Sequence, residues 1–185
     1  MQKCKQSQNQ SVIEHGISVK DYTFDILNHL ENGSELKYSW KIPDWVYQYK
    51  ELILSKIHDR KTLELYTTYH DCGKPYCKTI DDCGKSHFPN HAEVSYEVFN
   101  SIFPDNKESA ELIRKDMDIH LLKSNQLDEF ASSPYAITLL IVGLSEVHSN
   151  ARMFGGIDSV SFKIKWKQIN KRGKQIMEII SKKGR

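Results

Sequence analysis

Eight histidines are spread over this sequence, and their neighbours sort them. His70 is followed directly by Asp71, and Gly73-Lys74 comes just after. His15 lies in a stretch of helical apolar spacing, His91 follows Phe88-Pro89-Asn90, and His120 closes a further stretch. Imidazole and carboxylate together are donors that first-row transition metals take, in preference to Mg²⁺. Two such ions sharing a carboxylate, about 3.5–4 Å apart, form a clamp for phosphoryl hydrolysis. Glu146 stands out on physical grounds alone. Leu139, Leu140, Ile141, Val142, Leu144 and Val147 cover every face of its helix, which should therefore be buried. An ionised carboxylate there costs several kcal/mol unless it is bound to a metal or paired, with Arg152 or a lysine as the alternative partner. His29, His58 and His87 lack comparable neighbours and read as solvated or structural. Asp118 sits two residues before His120, points away from it and reads as surface.

These residues need a scaffold. Ile13, Ile17, Phe24 and Leu27 recur at helical spacing, with Val12, Val19, Ile26 and Leu30 beside them, and Asn32-Gly33-Ser34 ends that helix. Pro43-Asp44 starts another, running to Ile57, and a third covers Leu63 to Tyr69 and leads into His70-Asp71. Lys78-Thr79-Ile80 and Ser86-His87-Phe88 flank a turn in which Gly84 suits a left-handed position, which predicts a short β-hairpin. Helices resume over 90–103, 106–122 and 134–154. The last covers 161–183 and is expected to bend or break at Gly173. The fold class is all-α, a helical bundle with one small hairpin near 78–88.

At this point His15, His70-Asp71 and a later acidic residue resemble the H…HD…D signature of the HD-domain phosphohydrolase superfamily. The run His70-Asp-Cys-Gly-Lys-Pro75, with Asp82-Cys-Gly-Lys-Ser-His-Phe88 and then His91, is similar to a narrower group within it. That group comprises the HD domains of bacterial transfer-RNA nucleotidyltransferases and of RNA end-healing HD phosphatases. The resemblance covers about His15 to Asn150. It implies an all-helical fold and metal-dependent hydrolysis of phosphate mono- or diesters, with one or two divalent ions (Mn, Fe, Ni, Co or Zn). It also implies that His15, His70, Asp71 and the acidic residue hold the first ion, with Asp71 bridging. His91 and His120 would hold the second, and Lys74 would reach the substrate phosphate. The final ligand of the superfamily is an Asp. Here the segment reads Leu144-Ser-Glu-Val-His-Ser-Asn-Ala151, and Glu146 takes that place.

The chain has 185 residues, 39% hydrophobic and 27% charged, which fits a globular protein of about one domain. The expected organisation is a disordered leader over 1–10 and a single domain over 11–185. No apolar run is long enough to span a bilayer, the N-terminal residues lack a secretory h-region, and four cysteines make no disulfide framework, so a cytoplasmic protein is expected. Cys72, Cys77, Cys83 and His87 do not have a structural-zinc spacing and read as small buried thiols and a solvated or structural histidine. Net charge is +2, but residues 159–185 hold nine basic residues and one acid, Glu178. Lys163, Lys165 and Lys167 alternate with Phe162, Ile164 and Trp166. The lysines could hold phosphates while Phe162 or Trp166 stacks on a base; the bland alternative is a solvated amphipathic helix. The expected partner is thus a phosphorylated nucleotide or RNA end, with no membrane and no obligate protein partner. Two alternatives remain open: a phosphatase of free or signalling nucleotides, and a degenerate HD module that binds nucleotide or nucleic acid without turnover.

Overall fold

Ser11 and Glu14 form a capping box. The Ser11 amide and hydroxyl donate to Glu14 Oε2 at 2.7 and 2.6 Å, and the Glu14 amide donates back to Ser11 Oγ at 3.3 Å. The computed structural model, which describes residues 1–7, 10–151, 153 and 155–183, starts its longest N-terminal helix there. Before it, β1 (Lys5–Ser7) pairs antiparallel with β2 (Gln10–Ser11), where the sequence predicts a disordered leader. Helix α1 (Val12–Asn32) follows, then α2 (Asp44–Gln48), α3 (Lys50–Lys56), α4 (Arg60–Tyr69) and α5 (Lys74–Cys77). The predicted hairpin is β3 (Thr79–Ile80) with β4 (Ser86–His87), and Gly84 turns it at φ 77°. The chain continues with α6 (His91–Ile102), α7 (Lys107–Arg114), α8 (Asp118–Leu121), α9 (Leu127–Ser132), α10 (Ala136–Ala151) and α11 (Val160–Lys183). The fold is all-α with short antiparallel ribbons. Among the described residues no single helix is long and apolar enough to cross a membrane.

The structure divides into two compact units, the first Met1–Lys20 with Asp59–Met117, the second Asp21–His58 with Asp118–Arg185. In the first, Val12, Val19, Leu63, Tyr66, Phe99, Leu112 and Ile113 are buried. Tyr69, Phe99 and Phe103 stack obliquely, with ring centroids 5.0–6.1 Å apart. The predicted 106–122 helix is interrupted after α7. Asp116 there is buried and accepts from the Tyr66 hydroxyl at 2.7 Å, a position a continuous helix would not give it. On α1 the buried stripe carries Val12, His15 and Val19, whereas Ile17 is 42% exposed.

In the second unit α10 is the central element, and every residue of it but Glu146 and Asn150 is buried. α9 and α11 pack on it, with Phe162, Ile169, Ile176 and Met177 turned inward. Asp25 is buried and gathers the loop after α1, accepting from the amides of Lys37 (3.0 Å) and Tyr38 (3.3 Å) and from Trp40 Nε1 (2.9 Å). His148 donates from Nδ1 to the Leu144 carbonyl and accepts the Lys41 amide, and burial holds its pKa down to about 4. The expected helix from Asp44 to Ile57 breaks at Tyr49 into α2 and α3.

Gly173 does not break α11, contrary to the sequence reading. A Cβ there would lie 2.4–2.9 Å from the Trp45 indole, so the glycine lets α11 lie directly on that ring. Alanine is the better helix former by about 1 kcal/mol, but overpacking of this kind costs about 1–3 kcal/mol. We expect Gly173→Ala to lower unfolding stability by about 1–2 kcal/mol in urea titrations, with the helical circular-dichroism signal of the native state unchanged.

Candidate metal centre

The first unit brings five of the predicted residues together. His15 is on α1 and His70 caps the C-terminus of α4. Asp71 follows in the turn, Lys74 starts α5, and His91 starts α6. Two glycines make this approach possible. A Cβ on Gly16 would sit 2.1 Å from the Thr68 carbonyl oxygen, so α1 crosses α4 backbone to backbone beside both histidines. A Cβ on Gly73 would sit 2.3 Å from the Ser95 amide nitrogen, so the turn after Asp71 lies directly on α6. The Gly73 amide donates to Ser95 Oγ at 2.9 Å. Asn90, in the left-handed region at φ 51°, turns the chain into α6 just before His91.

Asp71 is the centre of this arrangement and is 2% exposed. Its Oδ2 lies 2.6 Å from Lys74 Nζ, 3.3 Å from His70 Nε2 and 3.7 Å from His15 Nε2; its Oδ1 lies 3.6 Å from His91 Nε2. The His15 and His70 rings meet edge to face at 5.1 Å. Burial by itself pushes the Asp71 carboxyl up; the nearby His70, Lys74 and His15 outweigh it and hold the group below the usual carboxylate range.

The ring tautomers show what the site suits. His70 Nδ1 lies 2.8 Å from the Thr67 carbonyl oxygen and His91 Nδ1 lies 3.0 Å from that of Phe88. A carbonyl only accepts, so both Nδ1 atoms carry hydrogen, and in the neutral rings both Nε2 atoms present lone pairs toward Asp71. Lone pairs facing carboxylate oxygens repel unless a cation lies among them or the rings are protonated. Donors about 2.1 Å from one shared ion stand roughly 3–3.5 Å from each other, close to the separations of these nitrogens and oxygens. Backbone carbonyls orienting the far ring nitrogen are the usual support of metal-binding histidines. The donor set therefore fits a divalent transition metal. Sequence reasoning identified the histidines and the aspartate but missed Gly16, Thr67 and Phe88 as their supports; Gly16 directly after His15 was the available signal.

Two expected donors fall in the second unit. His120 Nε2 and Glu146 Oε2 are 2.8 Å apart, and Asn150 Nδ2 donates to Glu146 Oε1 at 3.3 Å. Gly143 lets α8 lie on α10 here, since its Cβ would be 3.0 Å from Ile119. His120 is thus one partner of Glu146; Arg152 lies outside the described residues. Lys163, Lys165 and Lys167 are exposed near the start of α11. Phe162, one candidate for base stacking, is buried 5.1 Å from the His148 ring. Trp166, the other, donates to the Lys41 carbonyl at 2.6 Å and carries the Lys41 ammonium over its ring at 4.4 Å, so neither is presented to a base. His29 bonds Ser34 and Tyr47, His58 bonds Thr138, and His87 pairs with Asp81 at 2.7 Å, all structural.

The thiols give a direct check on this packing. Cys72, between Asp71 and Gly73, donates to the Ser95 carbonyl, and burial pushes it up to about 11. Cys83, expected from the sequence to be buried, is instead exposed on the hairpin. Reactivity follows the thiolate and its access, so at about pH 8 iodoacetamide should label Cys83 in the native protein and leave Cys72 unmodified until the chain is unfolded. Peptide mass spectrometry reads both positions; rapid labelling of Cys72 would mean that α6 does not seal the Asp71 turn.

Compared with models of protein families, with curated proteins and with solved structures, the chain matches none of them.

Proposed function

We propose that this protein is a metal-dependent phosphohydrolase of the HD type, acting on phosphate mono- or diesters of a nucleotide or an RNA end, as a 2′,3′-cyclic phosphodiesterase or phosphatase. One observation carries the reading. Three imidazole Nε2 atoms face the two oxygens of a single buried carboxylate at 3.3–3.7 Å, and two of those rings are oriented by backbone carbonyls. The H…HD motif and its Gly-Lys-Pro continuation support the same chemistry.

His15, His70, Asp71 and His91 would hold the ion. When bound, such an ion supplies hydroxide near neutral pH and a Lewis acid for a phosphoryl oxygen. The protein's own residues do the rest. Asp71 offers one oxygen to His15 and His70 and the other to His91, so one carboxylate can serve two positions and orient an attacking oxygen between them. Lys74 places its ammonium 2.6 Å from Asp71 Oδ2, where it can neutralise charge growing on phosphoryl oxygens. Thr67 and Phe88 hold the tautomers of His70 and His91 throughout. These four residues all lie in the first unit.

One observation favours a second reading. Lys74 donates to Asp71 Oδ2 at 2.6 Å, so this carboxylate already has a cationic partner, as a non-catalytic binding module would require. The two readings separate in one experiment. Purified protein is supplied with Mn²⁺, Co²⁺ or Ni²⁺ and screened against phosphorylated nucleotides and RNAs ending in 3′-phosphate or 2′,3′-cyclic phosphate. Released phosphate and RNA mobility are followed. We expect turnover with at least one metal, reduced about 100-fold or more in Asp71→Asn and His70→Ala, together with loss of bound metal by elemental analysis. Absence of turnover with every metal would leave the binding module as the answer.

A further inference from the structure

α11 is amphipathic in an unusual direction for its composition. Its apolar face, Phe162, Ile169, Ile176 and Met177, is buried within the second unit. Its opposite face carries Lys163, Lys167, Lys171 and Lys174, all exposed and spaced by four, four and three residues. On a helix these share one side and repeat at about one turn, 5.4 Å each. Lys165 lies about 200° round from Lys163 and does not belong to the row. Asp158 approaches Lys163 at 4.0 Å, and among the described residues Lys167, Lys171 and Lys174 pair with no carboxylate.

The row runs into a groove of about 390 Å³ lined by Lys123, Ser124, Gln168, Lys171, Arg172 and Gln175, with no acidic residue in its wall. Arg172 is anchored there. Its Nη1 donates to the carbonyls of Ile119 and His120 and its Nη2 to that of Leu122, at 3.0–3.1 Å. Those three bonds use three of the five guanidinium hydrogens, which leaves Nε–H and one Nη2–H. The cation is thus fixed in position by carbonyl dipoles and, among the described residues, pairs with no carboxylate.

We propose that this face of α11 and the groove beside it form a binding surface for the phosphate backbone of a single-stranded nucleic acid. The chemistry matches a repeating anion: point charges at about one helical turn, on flexible stems, leading to a preorganised guanidinium. A membrane surface is the poorer partner, because a helix lying in lipid needs its apolar face free, and here that face is in the core. Because Phe162 and Trp166 are engaged within the protein, no aromatic platform reads the bases, and binding is expected to ignore sequence. The inference does not rest on the metal-centre reading, and its test is run without metal.

The 185-residue chain in EDTA is titrated into fluorescein-labelled single-stranded RNA, one of mixed sequence and one of uridines alone, and anisotropy is followed over a salt series. Four neutralised phosphates give a slope of log affinity against log salt of about −3, and both RNAs should bind alike. The exposed double variant Lys167→Glu/Lys171→Glu should weaken binding about tenfold or more at low salt, and Lys123→Glu should weaken it from the groove side, both with unchanged melting curves. Phosphatidylserine vesicles form the other arm and should bind less strongly than RNA. No binding at low salt, equal affinity in the lysine variants, a slope near zero, or preference for vesicles would each overturn the proposal.

Discussion

An anion kept ionised out of reach of water is the constraint around which the first unit is organised. Taking a carboxylate into the interior costs several kcal/mol, and only close, well-directed positive partners offset it. Asp71 obtains these from three separate helices and its own turn: Lys74 three residues on, His70 beside it, His15 from α1 and His91 from α6. Helices packed through ordinary side chains stand about 8–10 Å apart, too far for imidazoles this short to converge on one side chain unless some backbones come closer. Gly16 and Gly73 permit that closeness. They are as necessary to the cluster as the groups that make it up.

The second unit solves a different problem. α10 is nearly all apolar and needs cover on every side. α11 supplies much of it by laying Phe162, Ile169, Ile176 and Met177 inward, while Gly173 brings it down onto Trp45. On α10, Glu146 accepts from Asn150 and lies 2.8 Å from His120. Arg172 then ties α11 to the carbonyl end of α8, which fixes the rotation of the long helix and therefore which of its faces meets solvent.

Much of this could be read from residue types and spacing. The apolar period located the long helices, Gly84 located the hairpin, and the His-Asp pair with its distant histidines located the donors. What escaped had physical reasons. The break after Arg114 goes with a tertiary partner, the Tyr66 hydroxyl for Asp116, which local pattern does not encode. Gly173 was read as a breaker because propensity says so, whereas its role is steric and depends on an indole more than a hundred residues away in sequence. On α1 the pattern placed Ile17 inside, and burial of His15 turned the helix so that Ile17 faces out. Aromatic residues between lysines suggested stacking, but Phe162 and Trp166 were already committed to the core and to Lys41.

The ribbon at the start of the chain has a mechanical role. The Cys4 carbonyl accepts the Val12 amide at 2.9 Å, so β1 and β2 add a backbone partner to the terminus that Ser11 and Glu14 already close. The first turn of any helix is where it frays, and His15 stands one turn inside this one. A segment whose composition suggests a dispensable tether therefore acts as a clasp, and clipping or fusing cargo to it would loosen the one imidazole that α1 contributes.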